Sequence, residues 1–159
     1  MSNRQISLGR VLNFIHQLLS TETEPAVGLC DQHKHAVRYA YKNGDLKATG
    51  EAQKLITDLP SGRHSTRNIV FSKDGKSLFL TVVSASNNND NGAASHCANI
   101  LEYTPEGEFV GVYASGIRNP VSLAINPETG ELWTSVNERD NLVPDYLTHV
   151  VKGGFYGRP

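Results

Sequence analysis

The sequence predicts an all-β fold made of repeated antiparallel units of four strands. Three observations predict it. Apolar runs of strand length recur along the chain. Turns containing glycine separate them. The whole pattern then repeats at a fixed spacing.

Residues 1–25 stand apart. Leu8, Val11, Leu12, Ile15, Leu18 and Leu19 fall at helical spacing, which predicts a short amphipathic helix. Ser20-Thr21-Glu22-Thr23-Glu24-Pro25 ends it as a linker, since proline and small polar residues favour turns over helix. Asn13, His16 and Gln17 interrupt the apolar run and no Ala-x-Ala-like site follows, so no signal peptide is expected.

From Ala26 onward the character changes. Val37-Arg38-Tyr39-Ala40-Tyr41 leads to Asn43-Gly44-Asp45. Asn-Gly between strand-like runs predicts a hairpin, because both residues adopt φ > 0 readily. Asn68–Phe71 leads through Lys73-Asp74-Gly75 to Leu78–Val83. Ile100–Tyr103 leads through Pro105-Glu106-Gly107 to Phe109–Tyr113. Val121–Ile125 leads through Pro127-Glu128-Thr129-Gly130 to Leu132–Val136. Hairpins at regular intervals with little helix imply an antiparallel all-β domain, and eight or nine strands are expected.

The repeat defines the unit. Ser61-Gly62-Arg63-His64 aligns with Ser115-Gly116-Ile117-Arg118, Gly62 falling on Gly116. The same offset, carried forward without a gap, pairs Ile69 with Leu123 and Phe71 with Ile125, and Asp74-Gly75 meets Thr129-Gly130 within a shift of one. Tyr39 with its Asn-Gly turn likewise parallels Tyr103 with its Glu-Gly turn. A hairpin, a Ser-Gly loop and a second hairpin give four strands in about fifty residues, the size and content of a β-propeller blade. Residues 26–159 then form a partial β-propeller of about two blades plus part of another. Equivalent positions in successive blades occupy equivalent points around the axis. His64 and Arg118 are therefore expected at the same end of adjacent blades, a base beside a cation.

Composition narrows the classes of partner. Fifteen Lys and Arg against sixteen Asp and Glu leave a net charge of −1, which argues against nucleic acid or an anionic membrane surface. No apolar run approaches the ~20 residues of a membrane-spanning helix. Cys30 and Cys97 are too few for a disulfide scaffold, although one disulfide between them stays open. Cys30, His33, His35, His96 and Cys97 have the ligand types of a zinc site, but their spacing fits no standard one. Gly-x-Ser-x-Gly is absent, and Gly153-Gly154 follows no strand-to-helix pattern that would make it a phosphate loop.

Several segments resemble one family. Gly116-Ile117-Arg118-Asn119-Pro120 is similar to the Gly-x-Arg-Asn-Pro motif of the soluble sugar dehydrogenases that use pyrroloquinoline quinone (PQQ). Pro127–Trp133 followed by Val136-Asn137-Glu138-Arg139-Asp140 resembles the sorbosone and pyranose branch, as do Val143–Leu147 and Gly153-Gly154-Phe155-Tyr156-Gly157. The resemblance runs from about Val37 to Pro159 and implies an arc of a six-bladed propeller with PQQ and Ca²⁺ at the channel mouth. It implies an oxidoreductase that takes hydride from a sugar hydroxyl, with a sugar substrate and an electron acceptor as partners. His64 matches the family's proton-accepting histidine. Arg118 and Asn119 match the residues that contact the quinone carbonyl. Glu138 and Arg139 fall where backbone carbonyls help hold calcium, in place of a Gly-Pro pair of the glucose branch. Val83 stands where the family has glycine, and Arg158 where it has tryptophan. The family continues past the position matched by Pro159, so a fragment of a larger enzyme is expected.

Each residue also has a plainer role open to it. His64 would serve as a surface-loop histidine, Arg118 as a blade-to-blade salt bridge, and Glu138 and Arg139 as part of a solvated loop. The competing function is a non-catalytic partial propeller, either a carbohydrate- or protein-binding module or an inactive product. Unpaired strand edges would then favour self-association.

Overall fold

The computed structural model describes residues 26–30, 35–40, 49–60, 67–84, 96–138 and 144–157, with only the backbone for 26–30 and Thr49. The N-terminal helix expected over residues 1–25 lies outside them.

Ten strands are described, and every regular element among the described residues is a strand. They are β1 (Ala26–Cys30), β2 (His35–Ala40), β3 (Thr49–Ile56), β4 (Ile69–Phe71), β5 (Leu78–Val82), β6 (Asn99–Tyr103), β7 (Phe109–Ser115), β8 (Pro120–Ile125), β9 (Leu132–Val136) and β10 (Tyr146–Val150). They form three antiparallel sheets in chain order: β1-β2-β3, then β4-β5-β6-β7, then β8-β9-β10. The fold is a partial β-propeller, with a four-stranded blade between two three-stranded sheets. The count exceeds the eight or nine expected for a physical reason. β1 contains Gly28, and β10 alternates poorly, with Leu147 exposed and His149 half-buried.

The internal repeat is a register. In the middle sheet Ile69 pairs with Leu80 and Phe71 with Leu78. In the third sheet, at the repeat offset, Leu123 pairs with Thr134 and Ile125 with Leu132. The shift of one at the turn glycine also has a cause. Both turns are closed in the same way, through Ser72 N–H to Ser77 O and Asn126 N–H to Glu131 O, each at 2.8 Å. Inside them Gly75 N–H returns to Ser72 O, three residues back, whereas Gly130 N–H returns to Asn126 O, four back. The turn changes shape while the strands keep their spacing.

A second correspondence links β2–β3 to β6–β7. The register shifts between Ala36 and Val37, and again between Arg38 and Ala40. It shifts between Ile100 and Leu101, and between Glu102 and Tyr103. The first irregularity recurs at the spacing that separates Tyr39 from Tyr103, and the second starts at residues of that same spacing, Arg38 and Glu102. The β2–β3 pair thus ends one sheet as β6–β7 ends the next. The hairpin–loop–hairpin unit legible in the sequence straddles a sheet boundary, which falls at the Ser-Gly loop.

Side-chain alternation builds two cores, one on each face of the middle sheet. Leu78, Leu80 and Val82 of β5 join Leu101 and Tyr103 of β6 in packing toward the first sheet, with Ala36, Ile56 and Leu59. The intervening Phe79 and Ile100 point the other way, onto Leu123, Leu132, Val136 and Val150 of the third sheet. Both β5 and β6 are buried at all five positions. That is why β5 reads as a nearly unbroken apolar run, whereas β6 includes two buried polar residues, Asn99 and Glu102, and β9 alternates buried and half-buried residues.

Polar ties cross the interfaces. Lys152 Nζ meets Glu102 Oε2 at 2.8 Å, and Ser77 Oγ donates to Glu102 Oε1 at 2.8 Å. The lysine–carboxylate hydrogen bond and the carboxylate charge hold the Lys152 ammonium above the usual lysine range. Asn68 Nδ2 donates to Val121 O at 2.6 Å, and Lys73 Nζ to Glu128 O at 2.7 Å.

One turn glycine is irreplaceable on two counts. Gly107, in the β6–β7 hairpin, has φ +91°, and a Cβ there would lie 2.2 Å from Leu55 O of β3. Left-handed backbone costs an L-residue about 1–2 kcal/mol, and a contact with backbone cannot be relieved by a rotamer change. Gly107→Ala is expected to destabilise the chain by about 2–4 kcal/mol in urea unfolding. A loss below about 1 kcal/mol would show that the hairpin does not rest on β3.

Candidate functional site

The connection from β7 to β8 holds Arg118 and Asn119, and its own residues determine its path at each step. Gly116 turns the chain with φ 74°. Ile117 is completely buried in the second core, and its amide donates to Ala98 O at 2.8 Å. The carbonyl of Arg118 accepts from Ser84 N–H at 2.8 Å, and that of Asn119 from Asn137 N–H at 3.0 Å. Pro120 opens β8, where a strand's first residue tolerates a missing N–H. Three consecutive residues are thus stitched to the ends of β5, β6 and β9.

Arg118 is 6% exposed. Its Nη1 donates to Asn137 O at 2.9 Å, so the guanidinium is aimed by a backbone carbonyl of the loop after β9. A buried guanidinium is tolerated only where acceptors meet it. Asn119 Oδ1 is buried with no hydrogen-bond partner among the described residues. A buried amide oxygen of this kind suits a site completed by a polar ligand.

The loop after β9 is the third component. Asn137 Nδ2 reaches Asp145 Oδ2 at 3.4 Å, and Glu138 N–H donates to Asp145 Oδ1 at 2.8 Å. Glu138 is half-buried. Burial, with the Glu138 charge nearby, pushes the Tyr146 hydroxyl above its usual range.

The structure brings Arg118, Asn119 and the Asn137-Glu138 backbone together at one end of the second and third sheets. His64 and Arg139 lie outside the described residues. The strand that follows His64, β4, holds in its sheet the place that β8, which follows Arg118, holds in the next. His33 and the Cys30 side chain also lie outside them. Cys97 is 5% exposed in the first core, and no three His, Cys, Asp or Glu side chains cluster for a metal among the described residues. No helix among the described residues is long and apolar enough to cross a membrane.

Sequence reasoning missed Asp145 in this site and, elsewhere, a buried arginine. Arg67, 6% exposed, donates from Nη2 to Pro60 O, and burial pushes its guanidinium below the ordinary arginine value. A lone arginine in a loop gives no sign of burial. Asp145 fell within a noted motif, but its loop contacts depend on the β9–β10 pairing.

An arc of antiparallel sheets whose connecting loop pins the Gly116-Ile117-Arg118-Asn119-Pro120 segment defines a partial β-propeller. The chain belongs to the TrAA12-like family, whose model matches residues 29–152. Among solved structures it is similar to one of Trichoderma reesei carbohydrate-active enzymes family AA12. The TM-score is 0.71 at 21% identity, over 89% of this chain and 41% of that one. It is also similar to a putative oxidoreductase (glucose dehydrogenase) from Thermus thermophilus. There the TM-score is 0.62 at 28% identity, over 79% of this chain and 42% of that one. The PQQ domain of pyranose dehydrogenase from Coprinopsis cinerea matches with a TM-score of 0.60 at 21% identity, over 74% of this chain and 32% of that one. No curated protein matches the chain in sequence. The chain spans less than half the length of each of these structures.

Proposed function

We propose that this chain contributes the Arg118–Asn119 face of a PQQ site in an enzyme that oxidises a sugar hydroxyl. The observation that carries this is the pinned Arg118–Asn119 loop: a buried guanidinium with a buried amide oxygen beside it that has no partner among the described residues. Bound PQQ would supply the hydride acceptor. The Arg118 guanidinium and the Asn119 Nδ2 would hold donors against the quinone oxygen on which negative charge develops, while Asn119 Oδ1, an acceptor, would take a donor from the ligand. His64 would take the hydroxyl proton on its neutral imidazole, whose pKa suits the task near neutral pH.

For calcium the loop after β9 offers hard oxygens. The Asn137 carbonyl already accepts from Arg118, which leaves the carbonyls of Glu138 and Arg139 as the candidates. The sugar and the electron acceptor would come from solution, and the substrate class of the sorbosone and pyranose branch is favoured by the Val143–Leu147 motif.

A second reading has its own support. The outer face of the third sheet exposes Leu147 at 68%, and its end strand β8 exposes Val121. Uncovered faces and edges favour a binding or self-associating arc. Titration with PQQ and Ca²⁺, followed by absorbance and dye-linked sugar oxidation, separates the two. The isolated chain is expected to bind PQQ weakly and turn over negligibly, because a tricarboxylate anion needs several cations in a closed site. A polypeptide that completes the ring is expected to bind tightly and oxidise sugar only with PQQ added. Failure of the ring-completed protein to bind PQQ would overturn the enzymatic assignment.

A further inference from the structure

We infer that Asp145 is a positioning residue that sets the direction of the Arg118 guanidinium through the Asn137-Glu138 backbone. Asp145 lies just before β10, and Asn137 and Glu138 lie just after β9. Its two carboxylate oxygens accept from two consecutive residues: Oδ1 from Glu138 N–H at 2.8 Å, and Oδ2 from Asn137 Nδ2 at 3.4 Å. Asn137 is engaged on its other side as well. Its carbonyl receives Arg118 Nη1 at 2.9 Å, and its amide donates to Asn119 O at 3.0 Å. One residue therefore stands between the carboxylate and both members of the Arg-Asn pair.

Asp145 is itself exposed. No packing requirement places a carboxylate there, so its location follows from what it bonds. The amide–carboxylate bond is charge-assisted and at the short end of the normal range. It fixes the peptide between Asn137 and Glu138, and that peptide carries the carbonyl that receives Arg118. The value of a donor in such a site lies in its preorganisation, and a carboxylate acting from behind the peptide maintains it, as partners behind a ligand do in metal sites.

The inference rests on the assignment of Arg118 to the quinone, so the test has one arm that does not need the quinone. In the full chain, hydrogen exchange at the Glu138 amide and the Arg118 guanidinium NMR signal are followed in Asp145→Ala and Asp145→Asn. Asp145→Ala is expected to speed Glu138 exchange about tenfold and broaden the Arg118 signal, with the melting temperature unchanged. Asp145→Asn keeps an acceptor for Glu138 N–H and is expected to restore both to within about twofold. PQQ titration of the same variants in the ring-completed protein is expected to show about five- to tenfold weaker binding for Asp145→Ala and near wild-type binding for Asp145→Asn. Unchanged exchange and an unchanged guanidinium signal in Asp145→Ala would overturn the inference. So would exchange that rises uniformly along the chain with a lowered melting temperature, which marks a merely structural residue. If PQQ binds neither the ring-completed wild type nor its variants, the functional assignment falls, and the exchange and guanidinium signals alone decide whether Asp145 holds the loop.

Discussion

Replacing His64 by alanine in the ring-completed protein is expected to lower dye-linked sugar oxidation by about 10²–10⁴-fold, the range of a lost general base. The loss should fall on kcat, with KM for the sugar little changed, because the proton moves only in the transition state. Wild-type rates should also fall as pH drops through the imidazole pKa, since a protonated histidine accepts nothing. The variant should lose that acid limb. Unchanged turnover in His64→Ala would remove His64 from the chemistry and leave it a loop histidine.

The second large effect is expected at Arg118. Arg118→Ala should cost about 10²–10³-fold in kcat, comparable to removing one donor from an oxyanion site. Stability should fall as well, because losing the 6%-exposed side chain leaves a hole and strips a partner from the Asn137 carbonyl. Arg118→Lys separates the two roles. Lysine keeps the charge but cannot satisfy a carbonyl and a second acceptor in one plane. It is expected to recover stability more fully than turnover. Equal recovery of both, or an Arg118→Ala variant that binds PQQ and turns over as wild type, would make Arg118 a structural tie between blades.

The sequence and the structure agree best where one residue type decides local geometry. The repeat that carries Gly62 onto Gly116 was visible because Ile69, Phe71, Leu123 and Ile125 occupy matching places in β4 and β8, and strand pairing admits no slip of one without exposing a core face. Arg118 and Asn119 entered through resemblance to a family motif; the structure shows that Arg118 is buried and that the backbone of both is pinned. The phase of the unit was not legible. A hairpin looks the same whether it opens a sheet or closes one, and only the shared bulges of β2–β3 and β6–β7 distinguish them. β3 was legible only as the return strand of the Asn43-Gly44 hairpin, since Glu51, Gln53 and Lys54 are exposed along its length. The acceptor for Arg118 was invisible because every residue has a carbonyl. Only the fold says that Asn137 supplies it.

The double burial of the middle sheet has a consequence for the order in which the molecule opens. Amides of β5 and β6, covered on both faces, should exchange only with global unfolding, while those of the flanking sheets exchange through cheaper local openings. The Arg118 loop is tied to that slow unit by Ser84 N–H and by Ala98 O. Its guanidinium is aimed from the third sheet, by the Asn137 carbonyl. As denaturant rises, the loop should therefore lose its aim when the third sheet lets go, and its place only when the middle sheet does. A half-opened molecule would keep the arginine where it belongs without the Asn137 contact that aims it, so function should fade before structure does.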